Sequence, residues 1–82
     1  MTNGAPLLLY FTDGCHLCDD AVRILQQANT PYTKIDIIHS QALVDRYGYF
    51  IPVLEDERGN SLYWPFDLKL LNDFLHIESN KN

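Results

Sequence analysis

Apolar residues along this chain follow two rhythms, and the elements are delimited where the rhythm changes. Leu7-Leu8-Leu9-Tyr10-Phe11 is a short unbroken apolar run, which predicts a buried strand. Thr12-Asp13-Gly14 breaks it. Beyond that turn, Leu17, Ala21, Ile24, Leu25 and Ala28 recur at helical spacing, with Asp19, Asp20, Arg23, Gln26 and Gln27 on the opposite face. Asn29-Thr30-Pro31 ends this helix, because proline cannot continue one. Tyr32 to Ile38 reads as a second strand, with Ile35 and Ile37 on one face and Lys34 and Asp36 on the other.

The second half repeats the alternation with shorter pieces. Ser40 is placed to cap a short helix through Leu43, Val44 and Tyr47, closed by Gly48 at its C′ position. Phe50-Ile51-Pro52-Val53-Leu54 predicts a third strand interrupted by proline. Glu55 to Asn60 is a polar loop whose Gly59-Asn60 suits a hairpin turn, and Ser61 to Trp64 is the fourth strand. Asp67 then caps a last helix through Leu68, Leu71, Phe74 and Leu75. The order is β-α-β-α-β-β-α. Its first half is a β-α-β unit, which calls for parallel strands and a right-handed crossover. An α/β fold with a mixed four-stranded sheet and helices on both faces buries most of this apolar set. No repeat, low-complexity tract or linker interrupts the 82 residues, so one domain is expected, with its core at about 6–77 and a polar tail at 78–82.

Charge and composition narrow the functions. The formal net charge is −5 and no basic run exists, so the electrostatic footprint of nucleic-acid binding is missing and anionic membrane surfaces are poor partners. No stretch approaches the roughly 20 apolar residues that span a bilayer. Met1-Thr2-Asn3-Gly4-Ala5-Pro6 carries no Lys or Arg, and the apolar run behind it is too short for a secretory signal, so a cytoplasmic protein is expected. Two cysteines are too few for a disulfide-built secreted scaffold. In a reducing compartment such a pair is expected to be catalytic or metal-binding.

That pair is Cys15-His16-Leu17-Cys18, set where the first strand has ended and the first helix begins. Two thiols three apart at a helix start can close a short disulfide. Cys15 lies where amide N–H groups and the helix dipole favour negative charge, and thiolate is the reactive form of cysteine. A C-x-x-C beside a β-α-β pattern points to redox chemistry. The opposing reading is a pair of buried structural cysteines.

Over nearly its whole length the chain resembles the glutaredoxin-like branch of the thioredoxin superfamily. The resemblance rests on Thr12-Asp13-Gly14 leading into Cys15-His16-Leu17-Cys18, on Ile51-Pro52 at the third strand, and on Asp67 at the start of the last helix. It implies a thioredoxin/glutaredoxin-like fold and a thiol–disulfide oxidoreductase active in cell redox homeostasis. Cys15 is then the nucleophile and Cys18 the resolving thiol. His16, if protonated, stabilises the Cys15 thiolate, whereas Asp13, Asp19 and Asp20 oppose it. Ile51-Pro52 is implied to be cis, exposing the N–H and C=O of Ile51 to a substrate strand. Most of Tyr10, Phe11, Tyr49, Phe50, Tyr63 and Trp64 are expected in the core or on the sheet, with Phe50 and Trp64 flanking the substrate groove. Asp67 matches the acidic position of the family's glutathione-holding G-G-x-D segment.

The chain also departs from that family. His16-Leu17 stands where Pro-Tyr is usual, no Lys or Arg precedes Cys15, and Phe50-Ile51 stands in place of Thr-Val. Trp64-Pro65 replaces the paired glycines, and proline has no N–H to donate. Weak glutathione binding is therefore expected. No bound cofactor is expected, and glutathione or a thioredoxin-reductase system is the implied electron donor. The implied partner is a disulfide-containing protein or a small-thiol substrate, acted on by a monomer. The alternatives are a non-catalytic thioredoxin-fold binding module or a metal-binding protein. A zinc site needs four ligands, and His39 and His76, a loop and a helix-end residue, lack the spacing to complete one. An iron–sulfur site bridged between two chains by Cys15 is a further variant.

Overall fold

The computed structural model describes residues 6–79. Strand β1 (Leu7–Phe11) is followed by helix α1 (His16–Gln27), strand β2 (Tyr32–Asp36), a 3-10 turn (Ile37–His39), helix α2 (Gln41–Tyr47), strands β3 (Val53–Glu55) and β4 (Ser61–Tyr63), and helix α3 (Leu68–Ser79). The strands form one mixed sheet in the order β2-β1-β3-β4. β1 runs parallel to β2, with Leu7 opposite Tyr32 and Phe11 opposite Asp36. β3 runs antiparallel to β1 and to β4, with Tyr10 opposite Val53 and Val53 opposite Tyr63.

β1 is a central strand, which is why it is apolar throughout: it has neighbours on both edges and helices over both faces. Leu7 and Leu9 turn to one face, where they meet Ala21 and Leu25 of α1, Leu54, Phe66, and Leu71 and Phe74 of α3. Tyr10 turns to the other face and packs with Ile37, Val53 and Tyr47 of α2. The expected α/β architecture is present, with α1 and α3 on one side of the sheet and α2 on the other. Among the described residues, no helix is long and apolar enough to cross a membrane.

Several boundaries differ from the sequence expectation, each for a local reason. β2 stops at Asp36, not Ile38. The Asp36 carboxylate accepts the Ile38 N–H at 3.1 Å and turns the chain into the 3-10 segment, so that Ile37 is buried and Ile38 exposed. β3 begins at Val53, not Phe50, because the Phe50 and Ile51 amides are donated back to the Tyr47 carbonyl at 2.8 and 3.1 Å. β4 ends at Tyr63, before Trp64. Gly48 is not left-handed: its φ is −52°, and a Cβ there would lie 2.5 Å from the Val44 carbonyl oxygen. Close approach, not positive φ, requires glycine at that point. α1 ends as expected but by another device. Asn29 adopts φ 52°, and the amides of Asn29 and Thr30 close on the carbonyls of Gln26 and Leu25. Leu17 does not join the buried face of α1; it is 45% exposed, while Cys18 is buried. α3 continues to Ser79, into the stretch expected as a polar tail. Residues 80–82 of that tail and the N-terminal stretch 1–5 lie outside the described residues.

The α2 face carries a polar pair inside its core. The Tyr10 and Tyr47 rings stack at 4.4 Å, and the Tyr10 hydroxyl donates to Glu55 Oε1 at 2.5 Å. Burial, and after it the Glu55 hydrogen bond, raises the Tyr10 phenol above its ordinary value. Burial, and after it the Glu55 charge, does the same for Tyr47. Among the described residues the buried Tyr47 hydroxyl finds no hydrogen-bond partner.

Leu25→Ala should cost about 2–5 kcal/mol in urea denaturation, because Leu25 is fully buried between helix and sheet. Leu17→Ala should stay within about 0.5 kcal/mol; a loss comparable to that of Leu25→Ala would contradict the exposed placement of Leu17. The raised tyrosines make stability fall at high pH. The unfolded chain releases its phenolic protons near pH 10 while the folded chain holds them. The stabilisation is therefore complete below about pH 10 and is lost as pH climbs above it. Tyr47→Phe should make that decline shallower. At neutral pH it should be neutral or slightly stabilising, since an unpaired buried hydroxyl is removed. A neutral-pH loss of about 2 kcal/mol or more would show that the hydroxyl is bonded.

Candidate redox site

The sheet topology gathers the chemistry-bearing residues at one end. The C-terminal end of β1, the N-terminal end of β3 and the C-terminal end of β4 coincide there, as the pairs Tyr10–Val53 and Val53–Tyr63 require. After β1 the chain turns through Thr12-Asp13-Gly14, and Gly14 takes φ +82°, a left-handed value that suits glycine. Cys15 follows as the N-cap of α1, with φ −91° and ψ 106°. Its carbonyl accepts the Asp19 N–H at 3.3 Å, and its sulfur accepts the Cys18 N–H at 3.1 Å. A cap is ordinarily an oxygen of Ser, Thr, Asp or Asn; here a sulfur satisfies an orphan amide of the first turn.

Cys15 and Cys18 form a disulfide, with Cα atoms 5.2 Å apart. The two sulfurs have unequal surroundings. Cys15 is half-buried at the open end of the helix, whereas Cys18 is 3% exposed one turn further in. A cavity of about 80 Å³ lies against Cys18, walled by Phe11, Asp13, Asp19 and Lys34 among others. The Lys34 ammonium sits 4.5 Å above the centre of the Phe11 ring. Sequence reasoning looked for a cation just before Cys15 and missed this one. It arrives from β2 through the register that sets Lys34 beside Leu9.

Charges at the turn pull in both directions. The N-terminus of α1 favours an anion at Cys15. Asp13 and Asp19 are exposed carboxylates that oppose it, while Asp20 is paired with Arg23 at 2.5 Å. His16 is the first residue of α1 and is exposed. Water screens exposed charges, whereas the Cys18 amide points directly at the Cys15 sulfur.

Residues 50–67 lie at the same end of the sheet, where the start of β3 and the end of β4 meet the end of β1. The Ile51-Pro52 peptide is cis. Trp64-Pro65 is also cis, which was not anticipated. One expectation is corrected here: the Ile51 N–H is not presented to a substrate, because it bonds the Tyr47 carbonyl, and only the Ile51 carbonyl remains for pairing. Phe50 is 52% exposed and meets Tyr63 edge-on at 5.6 Å. Trp64 is only half-exposed; it packs on the α1/α3 core, edge-on to Phe66 at 5.0 Å. Tyr63, opposite Val53 in the β3–β4 ladder, is the aromatic neighbour of Phe50, a pairing that only the sheet register reveals. Asp67 caps α3 as expected, accepting the Leu70 N–H at 2.9 Å. Among the described residues, no three His, Cys, Asp or Glu side chains come together to hold a metal ion.

The comparisons with known proteins agree with this geometry. Residues 6–76 match the family model described as Glutaredoxin-like domain (DUF836). The X-ray structure of protein XcR50 from X. campestris is 43% identical, covers 87% of this chain and 96% of its own, and superposes with a TM-score of 0.83. The solution structure of XcR50 gives 42% identity, 89% and 95% coverage and a TM-score of 0.81. The solution structure of protein Ne2328 from Nitrosomonas europaea gives 25% identity, 90% and 98% coverage and a TM-score of 0.67. No curated protein matches the chain. With its family match spanning all but the two ends, a four-stranded mixed sheet between helices, and a cysteine pair at the first helix, this chain belongs to the glutaredoxin-like family.

Proposed function

We propose that this protein is a thiol–disulfide oxidoreductase that cycles Cys15 and Cys18 between dithiol and disulfide. The observation that carries the reading is the asymmetry of the pair. Cys15 is reachable at the helix N-terminus, with an amide donated to its sulfur, and Cys18 is buried within disulfide reach of it. A pair serving only as a staple needs no such difference.

The Cys15 thiolate attacks one sulfur of a substrate disulfide; the substrate S–S bond breaks, a mixed disulfide forms on Cys15, and the released thiolate takes up a proton. Cys18, once deprotonated, attacks the Cys15 sulfur and expels the second substrate thiolate. Two electrons have then passed from the protein dithiol to the substrate, and the Cys15–Cys18 disulfide remains. An external thiol or dithiol, glutathione or a thioredoxin-reductase system, returns the pair to the dithiol by the same exchange in reverse. The helix N-terminus assists the first step by holding Cys15 as thiolate. A compartment rich in such reductants, the cytoplasm above all, suits this cycle. In it the protein, as a monomer, acts on a disulfide-bearing protein or a small disulfide in cell redox homeostasis.

The roles of the two sulfurs are separable by experiment. In the reduced protein Cys15 should alkylate faster than Cys18, read by mass spectrometry of modified peptides. Cys18→Ser should accumulate a mixed disulfide on Cys15, whereas Cys15→Ser should lose reactivity toward substrate disulfides. Faster alkylation at Cys18 would overturn the assignment.

A further inference from the structure

Closing the Cys15–Cys18 disulfide on a bound substrate requires Cys18 as thiolate; this step rests on the redox reading above. Cys18 is 3% exposed, and burial among apolar neighbours keeps a thiol protonated. Leu9, on the sheet side of it, is fully buried and has no titratable group. The helix N-terminus serves Cys15, whose sulfur accepts the Cys18 amide. The polar surroundings left to Cys18 are those of the cavity of about 80 Å³ at its side, which is roomy enough for several water molecules.

Among the described residues, Lys34 is the one cation on the wall of that cavity, and Asp13 and Asp19 are its anions. The parallel register sets Lys34 beside Leu9, so its side chain leaves the sheet on the face that α1 covers. Phe11, two residues further along β1, points the same way, and its ring holds the ammonium at 4.5 Å. Asp13 and Asp19 are exposed, so water screens them. Asp36, the next β2 residue on that face, gives its carboxylate to the Ile38 amide. We propose that Lys34 is a positioning residue for the second exchange, its ammonium stabilising the Cys18 thiolate across the cavity. While substrate occupies Cys15, the Cys18 thiol gives its proton to water in the cavity, and the proton leaves past Asp13 and Asp19. The thiolate attacks the Cys15 sulfur. The bond from Cys15 to substrate breaks as the Cys15–Cys18 bond forms, and the departing substrate thiolate takes a proton from solvent.

The full chain carrying Cys15→Ser keeps Cys18 as its single thiol, and the ultraviolet absorbance of the thiolate follows its ionisation as pH is raised. Adding Lys34→Met should raise the apparent pKa of Cys18 by about one unit, the low end for loss of a neighbouring opposite charge, because Lys34 stands partly in water. Lys34→Arg should restore it. In the chain with both cysteines, single-turnover reduction of bis-hydroxyethyl disulfide separates attack by Cys15 from closure by Cys18. Lys34→Met should slow closure about threefold at neutral pH, less than the tenfold loss of thiolate, since the more basic thiolate is the better nucleophile. Above both pKa values the variant should close as fast as the parent chain or faster, and alkylation of Cys15 should stay close to that of the parent. Lys34→Gln repeats the measurement if methionine disturbs the strand. A Cys18 pKa that does not move in Lys34→Met and Lys34→Gln, or that moves equally in Lys34→Arg, would overturn the role of Lys34 and leave the redox reading standing. A parent chain that reduces no disulfide would overturn the redox reading, and the step assigned to Lys34 with it.

Discussion

Strand β1 must be satisfied on four sides at once, and the rest of the molecule is arranged by that requirement. β2 and β3 pair with its two edges; Leu7 and Leu9 need cover on one face and Tyr10 on the other. Ala21 and Leu25 provide part of that cover, so α1 has to lie along the sheet directly after the turn that ends β1. The first turn of α1 is thereby pinned at the C-terminal edge of the sheet. Cys15 caps it from outside, and Cys18, one turn later on the inward side, is buried. Packing of a hydrophobic strand thus produces one reachable sulfur and one protected sulfur without any side chain dedicated to that purpose.

The other face of β1 fixes the segment that leads into Pro52. Tyr10 stacks on Tyr47, the last residue of α2, and the Tyr47 carbonyl gathers the amides of Phe50 and Ile51 before Pro52 enters β3. The cysteine turn and the segment that leads into Pro52 are therefore tied to the same strand through side chains only one position apart, Leu9 and Tyr10. A disturbance of β1 moves both the cysteine turn and the segment before Pro52, whereas Phe50 and Tyr63, exposed and packed edge-on, belong to the surface.

Much of this was legible in the sequence, and the misses share a cause. The apolar run 7–11, the helical spacing from Ala21 to Ala28 and the Asp67 cap each express a burial or capping rule that acts locally, and each is present. Ile37 and Ile38 continue the alternation of β2 on paper. The Asp36 carboxylate competes for the next free amide and ends the strand, which no hydrophobic pattern records. Helical spacing sets Leu17 with the apolar positions of α1, and Cys18 was read for its chemistry; in the structure Leu17 is exposed and Cys18 buried. The occupied Ile51 amide, the choice of Tyr63 over Trp64 beside Phe50, and the place of Lys34 all depend on contacts between elements distant in sequence. The cis Ile51-Pro52 bond was legible only through family resemblance.

The central claim is that Cys15–Cys18 is a working redox couple and not a staple. Its reduction potential, obtained by equilibrating the protein against thiol–disulfide buffers of known potential, tests that most directly. A catalytic C-x-x-C pair of this kind should lie between about −180 and −270 mV. A value below about −300 mV would mark a structural disulfide resistant to cellular thiols, and would contradict the account.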